Sequence, residues 1–243
     1  MNVSRPLIFH TKKRSEVMKT RITVAMIMFI GFVLCSAVVA YMPALIVREC
    51  PHCKAHVVQE ETVSGNTIGA TYWTDGKREA KMLPNHPWLV KCPECKSLFW
   101  VDEAVEVDTG FDAAKGKQQV LALSENELLG FLSGPALPRD KELYVRVWAW
   151  RSANDAWRRV PNATPAFSKD QVQNLHALSA MLDESEPNQR ILKAEIARES
   201  GEFDECLRLL SHPFDERYGH AVGFIKKLAE EKVRIVRSIS PAK

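Results

Sequence analysis

The sequence predicts an α+β protein in three parts: an N-terminal transmembrane helix, a small antiparallel β module and a C-terminal α-helical hairpin domain. Three observations predict it. No charged residue occurs from Ile22 to Val47, period-two segments surround two close pairs of cysteines between 48 and 110, and beyond Gly110 the apolar residues recur at helical spacing. With 243 residues, 46% of them hydrophobic and 26% charged, the chain is globular, and disordered, collagen-like and low-complexity classes are excluded. The boundaries that follow are 1–21 for a basic cytoplasmic tail, 22–47 for the apolar helix, 48–110 for the β module and 111–243 for the helices.

At about 1.5 Å per residue, a helix from Ile22 to Val47 would be roughly 39 Å long, more than the ~30 Å hydrocarbon core of a bilayer. Lys12, Lys13, Arg14, Lys19 and Arg21 precede it and only Arg48 and Lys54 follow closely, so the positive-inside rule predicts a single-pass membrane protein with its N-terminus in the cytoplasm. Two alternatives stand beside this. Lys19 and Arg21, the apolar stretch and Ser36-Ala37-Val38-Val39-Ala40 also spell an export signal cleaved after Ala40, and Met42 stands where a soluble cytoplasmic chain could start. Residues 1–47 hold six Lys or Arg against one acid, which leaves 27 basic and 29 acidic residues in the remainder. The net charge of +3 therefore belongs to the tail, and the rest lacks the basic excess on which nucleic-acid binding draws.

Cys50-Pro51-His52-Cys53 and Cys92-Pro93-Glu94-Cys95 are two C-x-x-C pairs with 38 residues between them. Each can form a tight turn that offers two sulfurs to one ion, and two such turns at the tips of β-hairpins complete a tetrahedron. His56–Val63 and Gly69–Trp73 have strand character, with Ser64-Gly65-Asn66 as the turn between them and Asp75-Gly76 as a further turn; Leu98–Val101 gives another strand. The segment from about Arg48 to Val107 resembles a zinc ribbon, with its Cys-Pro-x-Cys knuckles. That resemblance implies that Cys50, Cys53, Cys92 and Cys95 hold one structural Zn(II) ion, and the long separation implies an enlarged hairpin. Four thiolates fill the tetrahedron, so His52 and His56 are expected beside the site rather than in it.

Among the helices, Ser124-Glu125-Asn126-Glu127 is a capping-box signature, and Gly134-Pro135 ends the helix that it starts. Arg139 to Val160 follows as a longer helix whose Leu143, Val147, Trp150, Asn154 and Trp157 share one face. Its Arg146, Arg151, Arg158 and Arg159 lie among tryptophans, a mixture that serves nucleic-acid platforms, although tryptophans at this spacing more often build a core. Ser168 to Gln171 caps a helix to about Leu182, Pro187 starts one that Gly201 ends, Phe203 to Leu210 forms another, and the last runs from about Glu216 to Ile239. The segment Ala194 to Leu207, with Gly201, Phe203 and Cys206, resembles the inter-helix turn of a tetratricopeptide repeat. Cys206 is expected as packed core rather than as a nucleophile.

No phosphate-binding glycine loop, nucleophile elbow or His-Glu-x-x-His pattern occurs, and no catalytic residue is assigned. The expected function is that of a membrane-anchored, non-enzymatic interaction scaffold with a structural zinc ribbon, an unidentified protein partner docking on the helical domain. A nucleic-acid-binding ribbon is the alternative, and a thiol oxidoreductase a more distant one.

Overall fold

The computed structural model describes residues 41–160 and 165–239. Strand β1 (Met42–Glu49) runs antiparallel to β2 (His56–Ser64) on one side and to β7 (Val105–Thr109) on the other, in the order β2-β1-β7. Leu45, Ile46 and Val47 lie in register with Glu60, Gln59 and Val58, and Val47 is fully buried. The end of the charge-free run is thus a β-branched central strand whose apolarity serves a protein core. This overturns the expected span from Ile22 to Val47 and the single-pass membrane location built on it: Met42–Val47 are sheet, and among the described residues no helix is long and apolar enough to cross a membrane. Residues 1–40, which carry the remainder of that run, the basic tail and the signal-like features, lie outside the described residues.

Strand β5 (Leu89–Lys91) pairs with β6 (Leu98–Trp100) in a second antiparallel hairpin. A third sheet has the order β4-β3-β8, from β3 (Thr71–Trp73), β4 (Arg78–Glu79) and β8 (Ser238–Ile239). The hairpin expected between the second and third strands does not form, because β2 pairs with β1 across the first cysteine turn while β3 pairs with β4 and β8. Gly65, expected as a hairpin residue, serves a close approach instead: a Cβ there would lie 1.9 Å from the Met82 carbonyl oxygen. The Asp75-Gly76 turn does close β3 onto β4, with Gly76 at φ +72°.

Among the described residues seven α-helices follow: α1 (Phe111–Ala114), α2 (Glu125–Leu132), α3 (Arg139–Asp155), α4 (Lys169–Met181), α5 (Pro187–Ser200), α6 (Phe203–Ser211) and α7 (Gly219–Glu230). Ser124 and Ser168 each close a complete capping box, with Glu127 and Gln171 respectively. Replacing Ser124 by Ala should cost about 1 kcal/mol in a denaturant titration, because the amide of Glu127 loses its acceptor. Gly201, in the left-handed conformation, ends α5 and reverses the chain into α6. The last helix ends at Glu230 rather than near Ile239; Lys232 adopts φ 55°, and the chain returns as β8 to lie beside β3.

Side-chain alternation in the β5–β6 hairpin joins the two halves. Val90 and Phe99 face the ribbon core with Val57, Val101 and the two buried cysteines, whereas Leu89 and Trp100 face Leu128, Val145 and Ala149 on α2 and α3. Trp88 continues this contact, with its ring centroid 4.8 Å from Trp100 and 5.4 Å from Tyr144, and its amide donating to the Tyr144 hydroxyl at 2.7 Å. Trp150, Leu175, Leu178, Leu182 and Ile196 form the core of α3, α4 and α5, and Cys206, Leu209, Leu210 and Ile225 that of the last three helices.

Candidate metal centre

The first knuckle is the turn between β1 and β2, and the second is the turn between β5 and β6. Their backbones repeat each other. In the first, the Lys54 amide donates to the Cys50 carbonyl at 3.0 Å and the Cys50 amide to the Ala55 carbonyl at 2.9 Å. In the second, Lys96 donates to Cys92 at 3.1 Å and Cys92 to Ser97 at 3.0 Å. Lys54 and Lys96 both take positive φ, 64° and 62°. Left-handed backbone at a lysine is unfavourable, and its recurrence at the same place shows that the two turns share one specific geometry.

The two turns face each other. All four Sγ atoms lie within 4.8 Å of one another, with Cys50 3.8 Å from Cys95 and Cys53 3.7 Å from Cys92. A tetrahedron with metal–sulfur bonds of about 2.3 Å has edges of about 3.8 Å, so the donor set fits one metal ion. The same separations are far longer than a disulfide bond of about 2.05 Å, and all four thiols are free. Cys50 and Cys92 are buried against Val57, Val90 and Phe99, while Cys53 and Cys95 are exposed. The Ser97 hydroxyl and amide pull the Cys95 thiol down to about 6, and burial pushes Cys92 up to about 12. His52 lies beside the cluster, its Nε2 3.1 Å from the Leu98 carbonyl oxygen, and neither His52 nor His56 belongs to it.

Sequence reasoning missed a second concentration of chemistry, which lies where the β3–β4 turn meets α3 and α5. Asp75, fully buried, accepts two bonds from Arg158, at 3.2 and 2.6 Å. Asn154 Nδ2 lies between Asp75, at 3.1 Å, and Glu199, at 3.1 Å, and Trp150 Nε1 donates to Glu199 at 2.7 Å. Glu195 and Arg198 form a second buried pair beside it. The only sequence signal was the polar Asn154 on an apolar face; its partners come from distant parts of the chain. Trp150 is 2% exposed and Arg158, just beyond α3, is buried, so the aromatic and basic residues of this segment are in part internal structure. Cys206 is buried as well, and burial pushes its thiol up to about 12, which fits a packing role.

Burial, and then the neighbouring Glu195, raise the Glu199 carboxyl well above the ordinary carboxylate range. A carboxyl with a raised folded-state pKa favours the fold below its unfolded pKa, near 4.5, and loses that contribution as pH rises through the folded value. The Glu199 contribution to unfolding free energy should therefore fall by up to about 1.4 kcal/mol per pH unit above that point. Denaturant titrations across this range, compared with Glu199→Gln, should show a less negative slope in the variant. Equal slopes would place the Glu199 titration outside the range.

Comparison of the chain with protein-family models, with curated proteins and with solved structures finds no match. The four-cysteine geometry is zinc-ribbon-like on its own merits, whereas the resemblance of Ala194 to Leu207 to a tetratricopeptide turn gains no support beyond an ordinary helical hairpin.

Proposed function

We propose that this chain is a zinc-stabilised, non-catalytic interaction module. The carrying observation is the set of four mutually close sulfurs from Cys50, Cys53, Cys92 and Cys95, whose spacing matches the edges of a tetrahedral Zn(II) site. Such a site has no open position for water or substrate, so zinc there supplies folding energy and no catalytic step. The ribbon that it fixes shares the Leu89–Trp100 layer with α2 and α3, so the ion also holds the helical platform in shape. A protein partner docking on that platform would then depend on a metal that it never touches.

The test is native co-purification with the zinc-loaded chain and with Cys95→Ser, whose side chain is exposed and contributes little packing. A protein held by the wild type and released by the variant supports the module. A turnover that requires the bound zinc, or oligonucleotide binding that weakens steeply with salt, would contradict it.

A further inference from the structure

A cleft of roughly 850 Å³ opens between the β3–β4 hairpin and α3, and five cations line it: Lys77, Arg78, Lys81, Arg151 and Arg159. Two of these are answered by carboxylates. Lys77 meets Asp155 at 2.6 Å, and Arg159 meets Glu79 at 2.7 Å. Arg78, Lys81 and Arg151 have no carboxylate partner among the described residues, which leaves three positive charges around one cavity.

Arg151 is the most telling of the three. It lies over the Asp75-Gly76 turn, its Nε donating to the Asp75 carbonyl at 3.3 Å and a terminal nitrogen 3.0 Å from where a Cβ on Gly76 would stand. The Asp75 carboxylate beside it is already bound to Arg158 through both oxygens. Burial, and to a lesser degree the neighbouring Arg158, lower the Arg151 pKa against the attraction of Asp75, so the one carboxylate near this guanidinium, shared with Arg158, does not offset its lost water. Arg78, half-buried, has a terminal nitrogen that donates to Asn85 Oδ1 at 3.2 Å and to the Leu83 carbonyl at 3.4 Å, and a buried Nε with no hydrogen-bond partner. A desolvated cation such as Arg151 is costly until an anion joins it.

The cavity exceeds what a bare inorganic anion needs and matches the size of sites that enclose small organic molecules. One wall is aromatic: the Tyr144 and Trp148 rings stand 5.4 Å apart and are tilted by 38°, offering a surface on which a flat ring can stack. Three unanswered cations suit a dianion better than a single carboxylate, which one arginine fork would satisfy. We propose that this cleft binds a phosphate monoester carrying a planar ring, the chemical class to which nucleoside monophosphates belong. The phosphate lies among Lys81, Arg151 and Arg78, and the ring lies against Trp148.

The test is calorimetric titration of the full zinc-loaded chain with four probes: adenosine 5′-monophosphate, phenyl phosphate, adenosine and inorganic phosphate. Saturable one-to-one binding is expected for the first two, with the last two at least about 10-fold weaker, since each lacks either the charge or the ring. Lys81→Glu, at an exposed position, should weaken the first two by about 10-fold or more, and Lys115→Glu on the ribbon side should leave them unchanged. Absence of saturable binding by all four probes would overturn the proposal. So would equal binding by wild type and Lys81→Glu, or tight binding of an oligonucleotide by a chain that ignores the mononucleotide.

Discussion

Removing the metal, by chelation or by Cys92→Ser, is expected to unfold the ribbon and to loosen α2 and α3 with it. Structural Zn(II) contributes on the order of 10 to 16 kcal/mol of apparent binding free energy in zinc-finger peptides at pH 7, as much as the whole stability of an ordinary domain at about 5 to 15 kcal/mol. The ribbon core is thin: beside the two buried cysteines it consists chiefly of Val57, Val90, Phe99, Val101 and Ala104. Loss of that core frees Leu89 and Trp100 from Leu128, Val145 and Ala149, so the near-ultraviolet signal of the tryptophans should fall together with the β signal. Cys95→Ser separates the causes. Its side chain is exposed, so packing changes little, yet the same collapse is expected as for the buried Cys92. Collapse of Cys92→Ser alone would assign the effect to packing.

The second large effect is expected at Arg158. Replacing it by Ala leaves Asp75 fully buried with the Asn154 amide and the Lys77 backbone amide as donors but no ion-pair partner bound to its carboxylate, and breaking a buried pair in this way costs about 3 to 5 kcal/mol. The neighbouring Lys77–Asp155 pair is a fair comparison, since Asp155 is half exposed; Lys77→Ala should cost about 1 kcal/mol or less. Denaturant midpoints of the two variants at equal slope measure the difference. A cost below about 1 kcal/mol for Arg158→Ala would show that water enters the site and solvates Asp75.

What the sequence made legible was what local spacing determines. Metal chemistry writes itself as Cys-Pro-x-Cys twice, and each knuckle is also the turn of a hairpin, so the cysteines and the strands flanking them could be found together. Capping boxes at Ser124 and Ser168 and the left-handed Gly201 are equally local signals. Long-range pairing is not. Nothing near Ser238 or Ile239 announces a strand, because its reason is β3, more than 160 residues earlier. The β2–β3 hairpin failed for a related cause: Ser64-Gly65-Asn66 has turn composition, but Gly65 is demanded by the Met82 carbonyl, and β2 had already found β1. The apolar run misled because hydropathy counts transfer out of water and does not say into what. Ile46 and Val47 leave water for the sheet interior. The Asp75–Arg158–Asn154–Glu199 cluster was hidden for the same reason as β8, since its members meet only after the hairpin, α3 and α5 have docked.

Whether Cys50, Cys53, Cys92 and Cys95 hold a metal is decided by elemental analysis of the freshly prepared, reduced chain. One zinc per folded chain is expected, lost from Cys50→Ser, Cys53→Ser, Cys92→Ser and Cys95→Ser alike. A folded, reduced chain that contains no metal, and whose stability is indifferent to added zinc or chelator, would contradict it.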